Sequence, residues 1–75
     1  MQIKIEYCVT WNYLPRATSL VAGILDKFGS EVDNLTILPS SGGAYNVWKD
    51  DKLIFSKKEL GRFPLSDDEV IDQLA

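Results

Sequence analysis

The side chain best suited to chemistry in this chain of 75 residues is Cys8, its one cysteine. It closes an alternating segment, Gln2-Ile3-Lys4-Ile5-Glu6-Tyr7, and directly precedes a helical pattern. A thiol at a strand end ahead of a helix meets unpaired backbone N–H groups and the positive end of the helix dipole, and both favour the thiolate. The thiolate is the nucleophile, so thiol redox chemistry belongs here; the alternative is a small buried hydrophobe, a common role for free cysteines. Little else in the inventory competes. With no histidine the chain cannot build a Ser-His-Asp triad, a histidine proton shuttle or a histidine metal site. A lone cysteine excludes an internal disulfide framework and a multi-thiolate zinc site, so no metal ligands are assigned. Ser40-Ser41-Gly42-Gly43 has the small residues of an anion nest but not the Lys-Ser/Thr and following helix of a phosphate loop, and reads as a flexible loop. Asn34-Leu35-Thr36 matches a glycosylation sequon inside a predicted strand and is taken as a chance match.

The elements that must position Cys8 follow from periodicity. Ile3, Ile5 and Tyr7 alternate with Gln2, Lys4 and Glu6, which predicts a strand with one buried and one wet face. Leu14, Ala17, Leu20, Val21, Ile24, Leu25 and Phe28 recur at three- and four-residue steps, which predicts an amphipathic helix from about Thr10, capped by Thr10 or Asn12 and ended at Gly29. Pro15 fits only in its first turn. Residues 32 to 38 read as a second strand, with Leu35 and Ile37 inward. Residues 39 to 43 read as a loop. Ala44 to Trp48 and Lys52 to Ser56 read as a hairpin, with Tyr45 and Val47, and Leu53 and Phe55, as inward pairs. Lys57 to Phe63 is expected to be a polar connection, and Ser66-Asp67-Asp68-Glu69 is a capping box opening a short helix through Val70, Ile71 and Leu74. The order β-α-β-β-β-α, with a parallel crossover and an added hairpin, predicts an α/β domain over residues 1 to 75: a four-stranded mixed sheet with two helices on one face, the thioredoxin-like arrangement.

Tyr7-Cys8-x-x-Trp11-x-Tyr13-x-Pro15-Arg16-Ala17 resembles the redox motif of the selenoprotein W-like (Rdx) family. Pro39, Gly43-Ala44-Tyr45-Asn46-Val47, Leu53-Ile54-Phe55-Ser56-Lys57-Lys58 and Phe63-Pro64 resemble the rest of it, so the likeness runs over roughly residues 3 to 74. The resemblance implies a thioredoxin-like fold and thiol-based redox work, with glutathione as a co-substrate rather than any bound cofactor. The family motif reads Cys-x-x-Cys or Cys-x-x-selenocysteine, and position 11 here is Trp. A thiol three residues on resolves the mixed disulfide formed by the first; Trp11 cannot, so an external thiol must. Tyr13 and Pro15 are read as fixing the helix entry. Arg16 is either a solvated helix charge or a support for the thiolate or a glutathione carboxylate. Pro39 is expected to be a trans loop proline near Cys8. Trp11 either packs on the first helix turn or anchors a partner.

Lys and Arg number 8 against 11 Asp and Glu, a formal net charge of -3, which argues against nucleic acid as a partner. Residues 39 to 63 carry Lys49, Lys52, Lys57, Lys58 and Arg62 against three acids. Lys57 and Lys58 suit an acidic partner or glutathione, or else form a solvated edge. Trp48 and Ile54, on the open sheet face, are either exposed or buried against a second copy, which makes a homodimer one expected arrangement. Charges interrupt the apolar N-terminal segment and no stretch approaches a membrane span, so a cytoplasmic protein is expected. Two functions remain: a monothiol redox protein with Cys8 as nucleophile and a thiol-containing protein or glutathione as partner, or a redox-inactive interaction module using Trp11 and its neighbouring loops.

Overall fold

In the computed structural model, which describes residues 1–75, the elements run β1 (Gln2–Cys8), α1 (Leu14–Phe28), β2 (Asn34–Ser40), β3 (Tyr45–Lys49), β4 (Lys52–Ser56), α2 (Lys57–Leu60) and α3 (Asp67–Ile71). Short 3-10 turns follow α1 at Gly29–Glu31 and α3 at Asp72–Leu74. The sheet order is β2-β1-β3-β4. β2 pairs with β1 in parallel, Ile3 beside Leu35 and Cys8 beside Ser40, while β3 pairs with β1 and β4 antiparallel. This is the thioredoxin-like mixed sheet that the pattern predicts.

One apolar core lies between the sheet and the helices. Ile3, Ile5, Tyr45, Val47 and Phe55 supply the sheet side, and Ala17, Leu20, Ile24, Val70, Ile71 and Leu74 supply the helical side. Gly23 lets α1 and α3 close, because a Cβ there would stand 2.8 Å from Ile71 Cδ1. At the other end of the hairpin, Asp50 and Asp51 both take positive φ (49° and 68°), the backbone of a two-residue turn that matches the strand twist.

Several local expectations are corrected. Tyr13, not Thr10 or Asn12, is the N-cap of α1 and makes no side-chain capping bond. Asn12 sits at φ 57°, in a turn closed by its N–H donating to Val9 O at 3.0 Å, so its side chain is not placed to cap. Leu14 and Leu25 are exposed rather than part of the core stripe. Pro39 lies in a strand rather than a loop, a placement the edge position of β2 tolerates. A register shift sets Trp48 opposite Leu53 and Val47 opposite Phe55, so Ile54 is the extra residue. Leu53 is therefore exposed, while Ile54 is half-buried and packs against the core. Lys57–Leu60 is a helical turn, capped by Ser56, whose hydroxyl accepts from Glu59 N, and stopped by Gly61 at φ 74°. The capping box does not form: Ser66 makes no side-chain bond, and the Glu69 carboxylate instead accepts from Leu65 N at 2.7 Å and from both Arg62 Nη atoms. That pairing holds Glu69 well below the usual carboxylate range, at about 2, with the Arg62 bond the main cause.

Candidate functional site

Alternation along β1 puts Cys8 on the side of Lys4 and Glu6, away from the face that Ile3 and Ile5 give to the core. Its side chain has no exposed surface, yet it is not a member of the apolar cluster. Backbone amides reach it from two sides. After Cys8 the chain turns through residues 9 to 12, and Tyr13 N–H returns to Cys8 O at 3.0 Å. That turn brings the N–H groups of Thr10 and Trp11 to the sulfur, and the segment entering β3 brings those of Gly43 and Ala44. Burial pushes the thiol up; the four amides, Trp11 first, outweigh it, and the net displacement is downward. The sulfur is thus hidden from water in a nest of donors, an environment that stabilises a thiolate.

Gly43 shapes the rim of this nest. It has φ +75°, and a Cβ would stand 3.0 Å from Trp11 Cζ3, so the indole lies directly against its Cα. Trp11 is nevertheless 61% exposed: part of the ring packs, on the Gly43 loop rather than the first helix turn, and the larger part faces outward. Lys58 Nζ covers the neighbouring Gly42. Beyond it, Glu6 accepts from Asn46 Nδ2 at 2.9 Å. That bond first, then the Ser40 hydroxyl, with smaller help from Lys4 and Lys58, holds the Glu6 carboxyl below its usual range against the opposing effect of burial.

The remaining sequence candidates form a second layer. Trp11 meets Tyr13 edge-on at 6.1 Å, Tyr13 meets Phe63 at 4.7 Å, and Phe63 meets Tyr45 at 5.5 Å. Arg16 stacks on Phe63 with its guanidinium carbon 3.9 Å from the ring centre, and Lys57 Nζ stands 5.2 Å from the same ring and 5.8 Å from that of Tyr13. Arg16, read from the sequence as a solvated helix charge or a support for the thiolate or a glutathione carboxylate, thus has its guanidinium on the Phe63 ring of the aromatic cluster. Pro39 is exposed, lies in a trans peptide and pairs in register with Tyr7, one place from Cys8. Beside Arg16 and Tyr45 a groove of about 360 Å³ opens between α1 and α3, floored by Pro64 and Ser66.

Comparison with known proteins now bears on this arrangement. The Rdx family profile matches residues 2–74. The chain belongs to the Rdx family. A selenoprotein W-related protein from Vibrio cholerae has the same fold, with a TM-score of 0.91 at 26% identity over 97% of this chain and 90% of that one. A protein from Bordetella parapertussis gives a TM-score of 0.91 at 22% identity over 97% and 91%, a likeness of fold. No functionally curated protein matches. No helix of this Rdx-family chain is long and apolar enough to cross a membrane.

In this family member Cys8 and Trp11, three residues on, fall on either side of one tight turn, and the Trp11 amide is among the backbone groups that lower the Cys8 thiol. Sequence reasoning missed the contribution of Gly43 and Ala44. The signal was the pair Gly42-Gly43, two residues able to take the positive φ of 70° and 75° that carries the chain past the sulfur. Glu6 and Asn46 were also missed, because their pairing depends on the β1–β3 register.

Proposed function

We propose that Cys8 is the reactive group of a monothiol redox protein. Its thiolate attacks a disulfide R–S–S–R′, forming Cys8–S–S–R and releasing R′–S⁻. An external thiolate, from a thiol-containing protein or glutathione, then attacks Cys8–S–S–R, frees the Cys8 thiolate and leaves as the new mixed disulfide. Each exchange conserves electrons, and the proton state at Cys8 Sγ is set by the ring of amides. One observation carries the reading: the buried Cys8 is not part of the main apolar cluster, and the backbone amides of residues 10, 11, 43 and 44 lower its thiol against the effect of burial. An inert structural cysteine sits among apolar groups that raise its pKa; here the balance of forces goes the other way.

Trp11 N–H assists the thiolate through the backbone, while the indole covers the Gly43 edge of the nest. Arg16, Lys57 and Tyr13 contribute at the aromatic cluster, as contacts for whatever carries the partner sulfur, while Pro39 stands beside Tyr7 on the neighbouring strand. Incubation of the protein with oxidised glutathione, read by intact mass, tests the assignment. A single glutathione adduct reversed by excess thiol is the expected result, and a chain that keeps its unmodified mass overturns it.

The full cover over Cys8 beside a largely exposed Trp11 favours one second reading, an interaction module that docks through the indole and does not turn over. It predicts partner binding that survives Cys8→Ser and fails with Trp11→Ala.

A further inference from the structure

We propose that the rim of the Cys8 nest is a docking surface for an acidic, cysteine-bearing segment of a partner protein, with Arg16, Lys57 and Lys58 reading its carboxylates and Trp11 seating beside its sulfur. The proposal rests on the redox reading of Cys8 and names the class of partner that this site takes.

Charge placement is the argument. The whole chain has a net charge of -3, so on average it repels acidic partners. Yet three cations gather at the Cys8 end. Arg16 and Lys57 converge on one ring, Phe63, at 3.9 and 5.2 Å, and Lys58 lies over Gly42, next to the residue whose amide faces the sulfur. None of the three forms an ion pair; Lys27, Arg62 and the N-terminus form those the fold contains. The nearby carboxylates are committed elsewhere or stand off. Glu6, the acid Lys58 faces, is held by Asn46 and Ser40, and Asp67, across the groove from Arg16, accepts from Ser19 Oγ at 2.6 Å. Glu59, on the same turn as Lys57, pairs with no cation.

Two like charges drawn to one ring without a carboxylate partner are a cost in the isolated chain that an incoming anion removes. The apolar half of the surface accompanies them: Val9, Trp11 and Leu14 are 54%, 61% and 43% exposed, on the loop that wraps the sulfur and the first residue of α1. An exposed indole that meets Tyr13 edge-on, with Arg16 and Lys57 on the next ring, Phe63, and Lys58 over Gly42, combines the apolar anchor and the cations that an acidic peptide with an apolar flank would need.

Three peptides test this, alike except for acidic, neutral or basic flanks, each carrying one cysteine activated as its 2-pyridyl disulfide. Cys8 displaces 2-thiopyridone, whose absorbance gives the exchange rate. At low salt the acidic peptide should react on the order of tenfold faster than the neutral one, with the basic peptide slowest. The gap should close as salt is raised. Lys57→Gln and Arg16→Gln should slow the acidic peptide alone, whereas Lys52→Gln, at the hairpin turn, should leave all three rates unchanged. Equal rates, or an acidic peptide slowed as the net charge alone dictates, overturn the docking proposal. Uncharged dithiodipyridine separates the two claims. If it reacts with Cys8 while the peptides show no charge preference, only the docking surface falls; if it does not react, the redox reading falls as well.

Discussion

Trp11→Ala separates the cover of the nest from the nest itself. With Trp11 61% exposed, about two-fifths of a side chain of roughly 250 Å² is buried, about 100 Å². At about 25 cal/mol per Å² the contact with the Gly43 loop is worth up to about 2.5 kcal/mol, and roughly 2 kcal/mol once the compactness of the unfolded chain is allowed for. Truncating a fully buried aromatic costs about 3 to 5 kcal/mol. Urea unfolding should therefore show a loss near the lower figure. If the same contact must part before a reagent reaches Sγ, its removal accelerates alkylation of the folded protein by up to roughly 30-fold, at about 1.4 kcal/mol per tenfold. The amides remain, because the substitution keeps the residue 11 N–H. The pH at which alkylation inflects should accordingly stay where it is. Measured together, unfolding midpoints and iodoacetamide rates across pH decide the matter. An unchanged rate refutes the indole as a cover, a loss of about 4 kcal/mol refutes its surface position, and an inflection that rises to the free-thiol value refutes the backbone origin of the shift.

Three further outcomes follow from the packing and the charges. Gly43→Ala forces an L residue to φ +75° and sets its Cβ 3.0 Å from Trp11 Cζ3; it should cost about 1 to 2 kcal/mol in urea unfolding and speed alkylation of Cys8 by displacing the indole. Glu69 is held at about 2 against an ordinary 4.5, so its pairing stabilises the fold above the ordinary value, and that contribution is lost as pH falls from 4.5 through about 2; Glu69→Gln should flatten acid unfolding over this window, and a profile as steep as before would contradict the bond pattern. Tyr45 is pushed up to about 12, chiefly by burial, so its contribution is complete below the ordinary 10 and fades as pH rises through about 12. Tyr45→Phe should lessen alkaline unfolding over that range and, since its hydroxyl bond to Arg16 O is 3.3 Å long, cost no more than about 1 kcal/mol at neutral pH.

Much of the fold was legible because each element carries its own period. Ile3, Ile5 and Tyr7 marked β1, Ala17, Leu20 and Ile24 marked the buried stripe of α1, and the spacing of Lys52 to Ser56 from Tyr45 marked the hairpin. What was not legible depends on contacts between elements. The bulge that turns Leu53 outward and Ile54 toward the core arises from the pairing of β3 with β4. The failure of the Ser66 cap follows from Arg62 and Leu65, which claim the Glu69 carboxylate first. At the site, the position of Cys8 at a strand end could be read directly, but its ring of donors could not. Two of the four amides come from residues 43 and 44, which only the sheet topology brings beside residue 8. The placement of Arg16 and Lys57 on Phe63, one ring beyond the Trp11–Tyr13 pair rather than on the sulfur itself, has the same origin, since Phe63 follows a helical turn that periodicity over four residues cannot reveal.

The most direct test of the account is the pH dependence of Cys8 alkylation, compared between the folded protein and the same chain in denaturant. Backbone donors that exist only in the fold predict an inflection clearly below the ordinary thiol value of about 8.5 for the native protein, returning to that value when the chain is unfolded. An inflection at or above about 8.5 in the native protein would mean that burial outweighs the amides, and Cys8 would then be a structural residue rather than a redox thiol.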